Sequence, residues 1–159
     1  MHATYGLIGY PLGHSFSKGY FTHFFEENRI DAEYKNFELP SIEELTTVLR
    51  EEPALRGFNV TIPYKQTVIP YLDEVSDIAA RIGAVNTIVN RAGKLYGYNT
   101  DYFGFDYMLG RSGVSVEGKK AVVLGGGGAS ATACALLRDK GAKSIVVIDK
   151  DDNTPEGIA

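Results

Sequence analysis

Residues Val123-Leu124-Gly125-Gly126-Gly127-Gly128-Ala129-Ser130 form the stretch of this chain best suited to holding a phosphate. They lie between an apolar run, Lys119–Gly125, and an Ala-rich segment, Gly128–Lys140, whose composition suits a helix. Glycines let a backbone turn tightly and approach a pyrophosphate, and a helix N-terminus then offers free N–H groups and a positive dipole end. A glycine-rich turn is common by itself. The strand, turn, helix and second apolar run at Ser144–Asp149 make a βαβ unit, and that context turns the loop into a dinucleotide site. The cofactor-binding candidates are Gly125, Gly127, Gly128, Ala129, Ser130 and Asp149. Asp149 ends the second run, where an acidic side chain meets the adenosine ribose hydroxyls. It would repel the extra phosphate of NADP and favour NAD, with Lys150 softening that repulsion. It is equally well read as a solvated strand end in the acidic run Asp149–Asp152.

Other reactive residue types carry less. The 3 histidines and the single cysteine form no set with metal-ligand spacing, so no metal site is expected. His14 has no ordered carboxylate partner in the sequence and is read as structural. Cys134 falls inside the Ala-rich helix, where a thiol is more often a small buried hydrophobe than a nucleophile.

The elements that must position these groups alternate between strand and helix patterns, which indicates an α/β fold with a largely parallel sheet. Thr4–Tyr10 and Tyr34–Leu39 read as strands, and Ser17–Ile30 as a helix with Tyr20, Phe21, Phe24 and Phe25 at helical spacing. Ser41 and Glu44 are spaced as a capping box before a helix face of Ile42, Leu45, Val48 and Leu49. Gly57–Thr61 is strand-like, and Pro63 suits the first turn of a helix running through Lys65. A short helix follows over Ser76–Ile82. Val85–Arg91 and Lys94–Asn99, joined at Ala92-Gly93, read as a hairpin. Asp101 is placed as the N-cap of a helix that buries Phe105, Met108 and Leu109. Arg111–Gly118 is a polar linker into the βαβ unit.

Bulk properties bound the function classes. The chain has 159 residues, 44% hydrophobic and 23% charged, as in an ordinary globular protein. A net charge of −4 with no Lys/Arg cluster argues against nucleic-acid binding. No membrane span or signal-peptide layout is present in the sequence, and one cysteine permits no internal disulfide. The expectation is a cytoplasmic protein without a membrane partner.

Four further motifs occur in order. They are Gly9-Tyr10-Pro11-Leu12-Gly13-His14-Ser15-Phe16-Ser17, Asn59-Val60-Thr61-Ile62-Pro63-Tyr64-Lys65, Gly83-Ala84-Val85-Asn86-Thr87 and Gly97-Tyr98-Asn99-Thr100-Asp101. With the glycine loop as a fifth, the set resembles the shikimate/quinate dehydrogenase family almost end to end. The resemblance implies nicotinamide-dependent, reversible reduction of 3-dehydroshikimate to shikimate, on the route to chorismate and the aromatic amino acids. It implies that Ser15 and Ser17 hold the substrate carboxylate. Thr61, Lys65, Asn86 and Asp101 would address the ring hydroxyls, with Lys65 and Asp101 as the catalytic pair. It further implies a substrate-binding domain over 1–103, then a linking helix and the first part of a dinucleotide-binding domain over 104–159.

Two departures from the family pattern stand out. Ser17 is followed by Lys18-Gly19-Tyr20-Phe21 where many members carry proline and then His-Asn. The family's arginine-bearing turn after the second Rossmann strand is replaced by Asp149-Lys150-Asp151, which leaves NADP and NAD both open.

The residue types suit these roles. Reducing a ketone needs a hydride donor and a proton donor at the carbonyl oxygen. A lysine at a helix start sheds its proton more readily, and a nearby carboxylate opposes that and holds the ammonium. Ser15 and Ser17, two apart, can turn both hydroxyls to one ligand, and either can also cap the following helix. Thr61 and Asn86 sit at strand termini, where ligands of α/β sheets bind, although Asn86 also suits a turn. Lys65 and Asp101 also have plain readings as a solvated lysine and a helix cap.

Only the first βαβ of a dinucleotide domain is expected here. The family's later substrate-binding glutamine, its nicotinamide-side residues and its C-terminal helix find no match. The chain is therefore read as truncated, with a non-catalytic shikimate-binding module and a quinate dehydrogenase as the alternatives. An exposed half-sheet would invite homo-oligomers.

Overall fold

The computed structural model describes residues 2–149. The chain folds as two compact units, one reaching to Asp77 and resuming over Val85–Tyr98, the other made of Ile78–Ala84 and the chain from Asn99 onward.

The first unit is built on β1 (Ala3–Gly9), α1 (Ser17–Glu27), β2 (Ala32–Glu38), α2 (Leu45–Glu51), β3 (Leu55–Val60), β4 (Glu74–Val75), β5 (Thr87–Arg91) and β6 (Lys94–Tyr98). The sheet order is β2-β1-β3-β5-β6-β4. β1 runs parallel to both β2 and β3, β4 parallel to β6, and only β5 is antiparallel to its neighbours. As a strand paired on both edges, β1 is a nearly continuous buried run, with Leu7 and Ile8 in the core. Leu55, Phe58, Val60, Ile88 and Leu95 continue that core along the sheet. On one face Phe25 of α1 packs with Leu7, Leu12 and Tyr34. The expected aromatic face of α1 is only partly covered, since Tyr20 and Phe24 are exposed.

The β5–β6 hairpin turns at Ala92 (φ 53°) and Gly93 (φ 88°), the two positive φ values that a two-residue hairpin turn of this hand requires. Asn90 Oδ1 accepts the Gly93 N–H at 2.9 Å and closes the turn.

Two local expectations for this unit are corrected. Ser41 makes no side-chain cap; the Glu44 N–H goes to the Ser41 carbonyl at 3.2 Å, and the helix opens with a 3-10 turn over Ile42–Glu44. No helix runs through Lys65. Residues 62–68 form turns, because the Lys65 carbonyl that would propagate a helix accepts the Val85 N–H at 2.7 Å instead.

The second unit contains most of α3 (Asp77–Ile82), then α4 (Asp101–Ser112), β7 (Lys120–Leu124), α5 (Gly128–Asp139) and β8 (Ser144–Ile148). β7 and β8 pair in parallel, which with α5 gives the expected βαβ unit. Ile82, Ala84 and Ala135 form its buried cluster, with Ile78, Tyr102 and Ala131 against them. Contrary to expectation, α4 buries no residue fully, and Met108 is exposed. One face of the β7–β8 ribbon, Val122 and Leu124 opposite Val146 and Ile148, is likewise exposed.

Candidate functional site

In the first unit the chain leaves β1 at Gly9, passes a cis Tyr10–Pro11 bond and reaches Ser15 just before α1 and Ser17 at its first position. A side chain at Gly9 would collide with Thr61, its Cβ falling 2.5 Å from Thr61 Cγ2, so glycine is what lets the two loops approach. Ser15, Ser17 and Thr61 then line one cavity of about 470 Å³ with Tyr10, His14 and Phe16. Ser15 Oγ accepts the Ser17 N–H at 3.3 Å, which keeps its own proton for another acceptor. His14, read as structural, is exposed on this cavity wall.

The turn that carries Lys65 is anchored on both sides. Tyr64 is buried, its hydroxyl donates to the Leu39 carbonyl, and its N–H bonds the Thr61 carbonyl at 2.9 Å. Burial, and after it the charges of Glu44 and Glu43, pushes the Tyr64 phenol up from its ordinary range. Lys65 itself is half-buried, and its backbone is held to Val85, the residue before Asn86. Asn86 is buried; its N–H bonds the Tyr98 carbonyl at 3.0 Å, and its own carbonyl accepts the Val60 N–H at 2.8 Å.

A chain of side-chain hydrogen bonds runs from the serine loop to Asn86 across three strands. The buried Tyr34 hydroxyl donates to Asn59 Oδ1 at 2.8 Å and is also bonded by the Ser17 hydroxyl. Asn59 Nδ2 reaches Thr87 Oγ1 at 3.4 Å, and Thr87 Oγ1 donates to Asn86 Oδ1 at 3.0 Å. Burial pushes the Tyr34 phenol up to about 12, with the Ser17 hydrogen bond pulling the other way. The phenol therefore stays protonated at neutral pH and its donor role is fixed.

In the second unit Asp101 is the first residue of α4, not its N-cap; Thr100 takes that position without a side-chain cap bond. A carboxylate in the first turn is still favoured by the helix dipole. The capping work falls to Asn99, whose Oδ1 accepts the Tyr102 N–H at 3.1 Å.

The glycine loop follows β7. Gly125 has φ 98°, a conformation that disfavours any side chain. Gly127 is the extended N-cap of α5, with open space where a Cβ would stand. Gly128, Ala129 and Ser130 form the first turn of α5. Asp149 directly follows β8, with its carboxylate against Gly126, so close that a Cβ on Gly126 would collide with Oδ2. The structure thus brings the acidic side chain onto the glycine turn. Among the described residues no His/Cys/Asp/Glu group could hold a metal, and no helix is long and apolar enough to cross a membrane.

Sequence reading missed Tyr34, Asn59, Thr87 and Asn99. Asn59 and Thr87 were visible as polar residues within apolar strands, which is a signal for buried hydrogen bonding. Tyr34 gave none, its partner lying 25 residues away, and Asn99 stood out only as a member of an ordered motif.

Residues 7–88 match the family described as the shikimate dehydrogenase substrate binding domain. A shikimate dehydrogenase (NADP(+)) of Clostridium perfringens is 46% identical over 153 residues, covering 92% of this chain and 55% of that protein. The crystal structure of shikimate dehydrogenase 1 from Peptoclostridium difficile superposes with a TM-score of 0.88 at 41% identity, covering 99% of this chain and 58% of that one. A Listeria monocytogenes shikimate 5-dehydrogenase, solved in complex with shikimate and NAD, gives 0.81 at 35% identity, covering 97% and 54%. The chain spans about half the length of the curated relatives it matches.

Proposed function

This chain belongs to the shikimate dehydrogenase substrate-binding domain family, and from that premise we propose that it binds shikimate and 3-dehydroshikimate as the substrate half of a nicotinamide-dependent oxidoreductase. The observation that carries the reading is the convergence of Ser15, Ser17 and Thr61 on one cavity. Neutral hydroxyl donors there suit a carboxylate. Thr61, Lys65, Asn86 and Asp101 address the ring hydroxyls. We place the substrate-binding domain over 1–103, and a linker helix with the first part of a dinucleotide-binding domain over 104–159.

Lys65 and Asp101 are assigned the catalytic work. The Lys65 ammonium gives its proton to the carbonyl oxygen during reduction and takes it back in the reverse direction, with Asp101 as the second member of the pair. The residues of the glycine loop fit a dinucleotide. The N-terminus of α5 would receive the pyrophosphate, with Gly125, Gly127, Gly128, Ala129 and Ser130 as the residues that would hold it. When bound, the nicotinamide supplies the hydride.

Asp149 supports NAD over NADP, since its carboxylate lies against the glycine turn where a ribose phosphate would meet it. The Clostridium perfringens relative is named for NADP(+), so the preference of this chain would be its own.

Titration of the chain with shikimate by calorimetry tests the substrate reading, with quinate as comparator. Saturable binding that weakens in Ser15→Ala and Thr61→Ala supports it; absence of binding overturns it. A second reading is a shikimate-binding module without turnover. An absorbance assay at the nicotinamide band with shikimate and each cofactor separates the two.

A further inference from the structure

We propose that Tyr34 is a positioning residue for this site, its hydroxyl setting through Asn59 and Thr87 which atom of the Asn86 amide meets the substrate. The inference rests on the shikimate-binding reading above.

An asparagine amide presents an acceptor or a donor depending on a rotation of its plane, and nothing in a lone side chain selects between them. Here the selection is made from a distance. The Tyr34 hydroxyl has one proton, and it is given to Asn59 Oδ1. Asn59 must then turn its Nδ2 group the other way, toward Thr87 Oγ1. Thr87, receiving that donor, spends its own proton on Asn86 Oδ1. The carbonyl of the Asn86 amide is thereby committed to Thr87, and the amide is oriented to offer N–H groups to a ring hydroxyl of the ligand. Each link has a defined direction, so the chain transmits orientation as well as attachment.

The Tyr34 ring is built to hold this position. It is buried and stacks on Phe21 of α1, with centroids 4.7 Å apart and planes 13° from parallel. Those contacts do not need the hydroxyl. Tyr34→Phe therefore removes the orienting proton while leaving the packing. It also frees Ser17 from its bond to the phenol, and Ser17 keeps a hydroxyl able to serve a carboxylate.

The test compares two ligands on the 159-residue chain: shikimate, and cyclohexene-1-carboxylate, which has the carboxylate but no ring hydroxyls. In Tyr34→Phe, shikimate affinity by calorimetry should fall about tenfold, as for one lost oriented hydrogen bond. Affinity for the comparator should stay within about twofold. The Asn86 side-chain amide signals in an ¹⁵N-correlated spectrum of the free protein should also shift. Thr87→Val breaks the same chain one link further on and should give the same selective loss. The double variant should lose no more than either single one.

Equal losses for both ligands, or additive losses in the double variant, would mean general damage and overturn the proposal. So would wild-type-like shikimate binding in Tyr34→Phe. If the unaltered chain fails to bind shikimate, the functional reading falls first and this inference falls with it.

Discussion

Asn99 Nδ2 donates to Thr132 Oγ1 at 3.0 Å, and Thr132 Oγ1 in turn donates to the Gly128 carbonyl at 2.9 Å. Two side chains thus tie the start of α4, which carries Asp101, to the first turn of α5, which carries the glycine loop. Asn99 also donates to the Ala84 carbonyl at 3.0 Å and accepts the Tyr102 N–H, so every polar group of this buried amide is used. Asn99→Ala leaves the Ala84 carbonyl and the Tyr102 N–H without this partner. A loss of about 2 kcal/mol is expected, measured by urea unfolding. Asn99→Asp should not rescue it, because a carboxylate cannot donate to Ala84 or Thr132.

Asp149 gives the second prediction. In the reading proposed above, its carboxylate, which lies against Gly126, opposes the charge of a ribose phosphate. Asp149→Asn should raise the affinity for NADP relative to NAD by about tenfold, roughly one repulsive charge at partial exposure. Fluorescence titration with the two dinucleotides reads the ratio. An unchanged ratio would make Asp149 a solvated strand end.

Much of this architecture was legible because it is local. The hairpin was announced by Ala92-Gly93, and the βαβ unit by two apolar runs around a glycine loop; each depends on residues adjacent in the chain. What failed was decided from far away. Pro63 suggested a helix through Lys65, but the Lys65 carbonyl is claimed by Val85, twenty residues on, and a tertiary bond outweighs a weak local propensity. The spacing of Phe105, Met108 and Leu109 marked an apolar face correctly, yet periodicity does not say what will cover it. The cavity shared by Ser15, Ser17 and Thr61 joins residues that the ordered motifs had already singled out. The Tyr34 relay was not legible, because cross-strand partners depend on register.

The role assigned to Lys65 yields a kinetic prediction. In a full-length enzyme carrying these residues, Lys65→Ala should lower kcat by roughly a hundredfold or more while KM for shikimate changes modestly. The backbone of this turn is held through Tyr64 and the Lys65 carbonyl, neither of which the substitution removes, so the fold should persist. Near-normal turnover would remove Lys65 from the mechanism.

The last prediction concerns pH. Arg81 grips Asp139 through two bonds of 2.7 Å, and the Tyr102 hydroxyl adds a third at 2.5 Å, fastening α3 and α4 to the end of α5. The Arg81 guanidinium, then the Tyr102 hydroxyl, hold the Asp139 carboxyl down at about 2 against an ordinary 3.8. The folded form therefore binds this proton less readily than the unfolded form. The stabilisation is fully present above pH 3.8 and is lost as pH falls through about 2. Because both side chains are partly exposed, salt should weaken the effect. Asp139→Asn should lower the melting temperature at pH 7 and flatten its fall between pH 4 and pH 2 relative to the unaltered chain, in calorimetric scans at low ionic strength. Parallel curves for the two proteins would show that this cluster contributes nothing to the acid limb.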